Sequence, residues 1–373
     1  MTPDPTLWPP QAPEAKREGA GPASPRAPGP LSPRRLALPL ALFLATVATT
    51  IAAGAIQQGV NPLTDPGLLY RGVPFSFTLL LILGAHEMGH YLVSRRHQLT
   101  VTLPFFIPAP PIPFFIGTFG AFIRIRSPIQ DKRALMDVGC AGPLIGVAVS
   151  IPVTLVGLKL STITVMQGGH EMLALGEPLL YQFLSWLAFG TLSPQAQVIL
   201  HPVAFAGWIG MLVTSLNLIP VGQLDGGHVS YALFPEYHRR ISLGFLGLLV
   251  ACGLIFWYGW LIWAVLLSFL GWRHPQPSYY WLPLDARRRW LGFFTILVFA
   301  LTFCPTPLSV VSGSNEPNGE VIQANKAATG QWESTAVAFP KEAPPGRHAG
   351  LPWKTGHIGW FNEAHLTFGL ISN

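Results

Sequence analysis

The sequence predicts an all-α polytopic membrane protein of about six transmembrane helices, with a small re-entrant β-hairpin between the second and third spans. Three observations carry this expectation. Half of the 373 residues are hydrophobic and only 11% are charged, whereas a soluble domain carries roughly 25%. The mean hydropathy is +0.41. Finally, six stretches reach or approach the about 20 apolar residues that one bilayer crossing requires. They are residues 36–56, 74–94, 135–157, 198–218, 243–270 and 290–308.

Taken in order, residues 1–35 are rich in Pro, Ala and Arg and read as a disordered leader without a cleavable signal peptide. Residues 36–56 are long enough to span and stay. The second span ends on Arg95 and Arg96. After it come Pro104, Pro108, Pro110, Pro111 and Pro113, which exclude a regular helix. Residues 119–126 then place an apolar residue at every odd position, the alternation of a strand. Such apolar, non-helical backbone is tolerated near a membrane only where protein buries it or where it lines a cavity. It reads as a re-entrant sheet edge, with a surface hairpin as the plainer alternative. The third span, 135–157, follows, and residues 159–197 read as a polar loop. The stretch 243–270 is long for one helix, and Gly259 is where it divides if there are seven spans rather than six. The membrane-embedded region is 36–308, and 309–373 reads as a poorly ordered tail.

Charge gives an orientation. With a cytoplasmic N-terminus, and with 243–270 returning to the side it left, 17 of the 23 Lys and Arg residues fall on the cytoplasmic side. That asymmetry accounts for the net charge of +6 without nucleic acid. Cys140, Cys252 and Cys304 are too few and too apolar in context for a disulfide framework or a cysteine metal site, and read as packing residues.

The chemistry sits in the second span, at His86-Glu87-Met88-Gly89-His90. On a helix, i and i+4 share a face, so both imidazoles can hold one metal ion while Glu87 takes a proton from water. Ionisable residues within a span are functional candidates by default. A catalytic zinc takes three protein ligands, so a third is needed at the same depth. Asp225 is the candidate: Pro220 ends the fourth span and glycines flank the aspartate, letting the chain turn its carboxylate inward. Its alternative role is a helix N-cap. Asp137 reads as an N-cap, and Gly139, Gly142 and Gly146 as sites of close helix packing. His228 reads either as a support for the metal shell or as a surface residue. His97, His348, His357 and His365 read as incidental.

H-E-x-x-H on one span and N-x-x-P-x-x-x-L-D-G on a later one, here Asn217 to Gly226, resemble the paired signatures of the site-2 protease family of intramembrane metalloproteases. The run from Asp137 through Ala141-Gly142-Pro143-Leu144-Ile145-Gly146 is similar to the start of that family's third helix. Phe269-Leu270-Gly271-Trp272-Arg273-His274-Pro275, with Pro283-Leu284-Asp285 and the arginines after it, is similar to the PDZ-less subgroup of plastids and bacteria. The resemblance covers about residues 70 to 308, and it implies a metalloprotease domain within 36–308. It implies that His86, His90 and Asp225 bind one Zn2+ and that Glu87 is general base and then proton donor. Asn217 would bind the substrate backbone or the developing oxyanion; its alternative is an interhelical hydrogen bond. The implied substrates are single-span membrane proteins, unwound along the sheet edge near residues 119–126 and cut in or near the bilayer. The rival reading is a membrane protein that binds metal without proteolysis, either a carrier or a catalytically silent, chaperone-like relative.

Overall fold

The computed structural model describes residues 33–111, 116–165, 171–192, 196–312 and 370–372. The expected leader apart from 33–35, Pro113, and the expected tail apart from 309–312 and 370–372 lie outside them. The described chain is mostly helical, with two small sheets.

Three long helices come first: α1 (Pro33–Ile56), α2 (Val73–Arg96) and α3 (Lys132–Lys159). A 3-10 turn at Pro66–Gly72 leads into α2. Arg95 and Arg96 fall in the last turn of α2, where cations complement the helix dipole. The carboxylate of Asp131 starts α3 by accepting a bond from the Ala134 amide at 2.8 Å. Asp137, expected as a cap, therefore lies inside α3, because the helix begins at Lys132 rather than beside it.

Six more helices follow: α4 (Leu179–Phe189), α5 (Pro202–Asn217), α6 (Asp225–Leu233), α7 (His238–Ile255), α8 (Gly259–Leu270) and α9 (Ala286–Thr302). Among the described residues, four helical segments are long and apolar enough to cross a membrane: Leu36–Ile56, Pro66–Arg96, Lys132–Lys159 and His238–Ile255. The expected span 198–218 is shorter in the structure. Residues 196–199 are drawn into a strand, and α5 starts at Pro202. Its 16 residues rise about 24 Å, less than the roughly 30 Å of a hydrocarbon core.

The stretch 243–270 divides at residues 256–258, immediately before Gly259. The resulting α7–α8 hairpin is tight, since a Cβ on Gly253 would lie 2.6 Å from the Leu261 side chain. The hairpin returns the chain to the end it left. A Cβ on Gly222, in the α5–α6 turn, would lie 2.1 Å from the Gly271 carbonyl oxygen. Just beyond, His274 bonds His228 of α6, and the Tyr279 amide donates to the Gln130 carbonyl before α3.

Between α2 and α3, β1 (Phe105–Pro108) pairs antiparallel with β2 (Thr118–Phe122), so that Phe105 faces Phe122 and Phe106 faces Ala121. The expected strand 119–126 is cut short because β1 offers four residues, preceded by Pro104 and closed by Pro108, and proline has no N–H for a ladder. Pairing resumes only as a bridge from Val101 to Ile125. The hairpin lies along α1: the Phe43 and Phe106 rings are 5.1 Å apart, and the Thr49 hydroxyl donates to the Gly117 carbonyl at 2.7 Å.

Residues 159–197, expected as a polar loop, instead contain α4 and strands of a second sheet. The correction has a simple cause: residues 179–189 are apolar throughout except for Gln182 and Ser185, and α4 packs on α3 and α9. The sheet comprises β3 (Thr162–Val165), β4 (Glu171–Leu175), β5 (Ala196–Ile199), β6 (Leu308–Ser312) and β7 (Leu370–Ser372), in the order β3-β5-β7-β4-β6. Only the β4–β7 pair is parallel. The sheet sits where α3 and α9 finish and α5 begins, at the end of the bundle away from Arg95, Arg96 and Arg287–Arg289. The core of the bundle is α2, α3 and α5, closed around Phe75, Leu79, Phe205, Trp208 and Met211.

Candidate metal centre

α2 carries His86 and His90 one turn apart on the face turned toward α3 and α5. Their side chains are buried, at 5% and 8% exposure, and their Nε2 atoms are 3.1 Å apart. Pro220 and the positive φ of Gly222 end α5 and turn the chain into α6, whose first residue is Asp225. Asp225 is thus at the helix start, but Leu224 occupies the N-cap position and the carboxylate points elsewhere. Its Oδ2 lies 3.2 Å from His90 Nε2 and 3.4 Å from His86 Nε2.

These three atoms form the single group of His, Cys, Asp and Glu ligand atoms, among the described residues, that could hold a metal ion. The spacing fits one. Ligand bonds of about 2.0–2.1 Å in a tetrahedral shell put neighbouring donor atoms about 3.3 Å apart. The protonation pattern fits as well. His90 Nδ1 lies 2.8 Å from the Val138 carbonyl, an acceptor only, so Nδ1 carries a proton, which leaves Nε2 as the ring atom that can take a metal.

α3 forms the back wall. A Cβ on Gly142 would meet His90 Nε2 at 2.1 Å, one on Gly146 would meet His86 Nδ1 at 3.2 Å, and one on Gly139 would meet the Asp225 carbonyl oxygen at 3.1 Å. The close packing expected of these glycines is therefore packing against two candidate ligand rings and, at Gly139, against His228 and the main chain of the residue that bears the third.

Glu87 lies between the histidines in sequence and is also buried. With His86 and Asn217 it lines a cavity of about 440 Å³. Asn217, the last residue of α5, places its Nδ2 3.3 Å from His86 Nε2. The remaining cavity wall is mainly apolar, from Phe205, Trp208 and Ile209 of α5 and Trp263 of α8, together with Thr118 to Ala121 of β2. All five residues singled out by the sequence, His86, Glu87, His90, Asn217 and Asp225, thus meet at one place.

Other residues depart from expectation. His228 neither supports the trio nor sits on the surface. Its Nδ1 is 2.7 Å from His274 Nε2, and burial, aided by the His274 ring, holds its pKa down to about 3, which keeps it neutral. His97 is not incidental, since its Nε2 lies 2.8 Å from Asp137 Oδ2. The Val138 carbonyl was missed because a backbone acceptor leaves no mark in the sequence. The partnership of Asp137 with Arg288 was missed because 151 residues separate them. The three cysteines are buried and free, as packing residues are.

Residues 74–257 match the family model described as peptidase family M50. The chain is 31% identical over 233 residues to the protein named probable zinc metalloprotease EGY1, chloroplastic, of Oryza sativa subsp. japonica, covering 56% of this chain and 39% of that one. It is 28% identical over 249 residues to probable zinc metalloprotease EGY2, chloroplastic, of Arabidopsis thaliana, covering 65% and 43%. With probable zinc metalloprotease EGY3, chloroplastic, of Oryza sativa subsp. indica, it is 27% identical over 296 residues, covering 70% and 47%. The chain thus spans less than half the length of each of these relatives. No solved structure matches. The matched segment contains both motifs and every residue of the candidate centre, and over it the chain is similar to peptidase family M50.

Proposed function

We propose that this protein is an intramembrane zinc endopeptidase that hydrolyses peptide bonds in or near the transmembrane segments of single-span membrane proteins. The observation that carries the reading is the convergence of His86, His90 and Asp225 beside a cavity that also contains Glu87. The relatives' names as zinc metalloproteases support it. His86, His90 and Asp225 would hold the zinc, which would supply the Lewis acidity that makes water a usable nucleophile near neutral pH.

The chain's own residues do the rest. The Glu87 carboxylate accepts the proton that attacking water releases and returns it to the leaving amine nitrogen, so one group serves as base and then acid. The Asn217 amide donates a hydrogen bond to the substrate carbonyl oxygen as negative charge develops there. The apolar walls from α5 and α8 exclude bulk water and accept the side chains of a membrane-spanning substrate.

A helical substrate shields its peptide bonds with its own hydrogen bonds. Added as a strand to the edge of β2, it exchanges those bonds for sheet bonds and opens one carbonyl to attack. The depth of the hairpin supports this role. Thr49, bonded to Gly117, lies sixteen residues beyond Pro33, in the last third of α1. This supports reading the hairpin as re-entrant, reaching toward the far side of the bundle.

In the bilayer, α1, α2, α3, α5 and α9 each cross once, and the α7–α8 hairpin enters and returns. That makes five crossings and one returning hairpin, six membrane-embedded units in all, with the shorter helices sheltered by their neighbours. The Arg-rich end and the mouth of the active site face the cytoplasm, in keeping with the Lys and Arg bias.

The test is cleavage in proteoliposomes containing a single-span substrate. Glu87→Gln is expected to keep its zinc and to cut at least 100-fold more slowly. Equal cutting by the wild type and the variant would remove Glu87 from the chemistry.

A further inference from the structure

One network next to the metal centre has no part in the chemistry proposed for it. Asp137 Oδ1 accepts from Arg288 Nε at 2.8 Å, and Oδ2 accepts from Arg288 Nη2 at 2.7 Å. The same Oδ2 lies 2.8 Å from His97 Nε2. One carboxylate therefore joins the residue that ends α2, the body of α3 and the first turn of α9. Asp285 fixes the guanidinium from its other side, its Oδ2 accepting from Arg288 Nη1, while its Oδ1 caps α9 through the Arg288 amide. A lone surface ion pair contributes little to stability. This one is partly buried, bidentate and shared with a third donor, the form in which such pairs carry geometric information.

Its position along α3 gives it a consequence for the metal. The residue after Asp137 is Val138, whose carbonyl orients His90 through Nδ1. Gly142 and Gly146, on the same helix, pack against the His90 and His86 rings, and Gly139 against His228 and the backbone carbonyl of Asp225. A shift of α3 along α2 would therefore disturb all three proposed ligands together.

We infer that Asp137, Arg288 and His97 are positioning residues that lock α3 in register against α2 and so set the affinity of the His86–His90–Asp225 trio for its metal. This rests on reading that trio as the metal site. None of the three positioning residues belongs to the proposed metal trio or lines the cavity beside it. They act through the Val138 carbonyl and the glycine face.

The test is zinc affinity by chelator competition on the full-length chain in detergent, with folding checked by circular dichroism. Arg288→Ala and Asp137→Asn are each expected to weaken zinc binding ten- to a hundredfold, roughly the range for residues that orient metal ligands. The double variant should be little worse than either single one, because both break the same link. Arg288→Lys should recover part of the loss, whereas Arg287→Ala, at an exposed neighbour, should cause none. If Arg288→Ala does not fold, Arg288→Lys and His97→Ala decide, each with a smaller loss. Wild-type affinity in the folded variants, or an equal loss in Arg287→Ala, overturns the inference. Should His86→Ala and Asp225→Ala also bind zinc normally, it is the metal site itself that is misassigned.

Discussion

At the residue scale, the centre depends on what is absent from α3 as much as on what is present on α2. A methyl group on Gly142 would overlap the His90 ring at 2.1 Å, whereas one on Gly146 would approach His86 at 3.2 Å. Gly142→Ala must therefore move a ligand or the helix, while Gly146→Ala asks for a few tenths of an ångström. Zinc binding is expected to fall at least tenfold in Gly142→Ala and by a smaller factor in Gly146→Ala, measured by chelator competition. The reverse order would mean that the back wall does not bear on the ligands as described. The sequence exposed His86, Glu87 and His90 because a four-residue spacing on a helix is a local property. Asp225 was legible through the proline and glycines that turn the chain. Asp137, by contrast, is one more acidic residue near a helix start until Arg288 folds back against it.

At the scale of elements, the β-hairpin is separable from the metal. Gly117 has φ +79, in the left-handed region that side chains rarely adopt. A Cβ there would also lie 2.4 Å from the Thr49 carbonyl oxygen. Gly117→Ala should unseat the hairpin from α1 while leaving His86, His90 and Asp225 in place. The expected result is unchanged zinc content, measured by elemental analysis, with cleavage of single-span substrates reduced about tenfold or more. Loss of zinc along with activity would tie the hairpin to the integrity of the bundle instead. The strand itself was legible from the alternation in residues 119–126, but its extent was not, since the length of a strand depends on its partner. The second sheet escaped for the same reason: its five strands are short and gather residues from 162 to 372. No local pattern announces such pairings. α4 was overlooked because its eleven residues are too few for a span and were absorbed into a loop.

At the scale of the whole molecule, the path of residues 243–270 decides which side the last third of the chain occupies. Composition shows only one long apolar stretch. The structure turns it at residues 256–258 and brings Gly271 back beside Gly222. Single cysteines introduced at Gln223 and Gln276 should therefore react from the same side with a membrane-impermeant thiol reagent. The three native cysteines are buried and should contribute little background. Labelling from opposite sides would require α7 and α8 to be rearranged into one crossing. Hydropathy could reveal that the chain belongs in a membrane, but helices as short as α5 and α8 depend on their neighbours for shelter and are not recognisable by length.

The convergence of His86, His90 and Asp225 on one ion underlies both the proposed chemistry and the role given to α3. The direct measurement is zinc stoichiometry on the purified full-length chain and on His86→Ala, His90→Ala and Asp225→Ala, each shown to be folded. One zinc per wild-type chain, with little retained by any of the three variants, is the expected result. Full retention of zinc by folded Asp225→Ala would contradict it, because the carboxylate brought from α6 would then be no ligand.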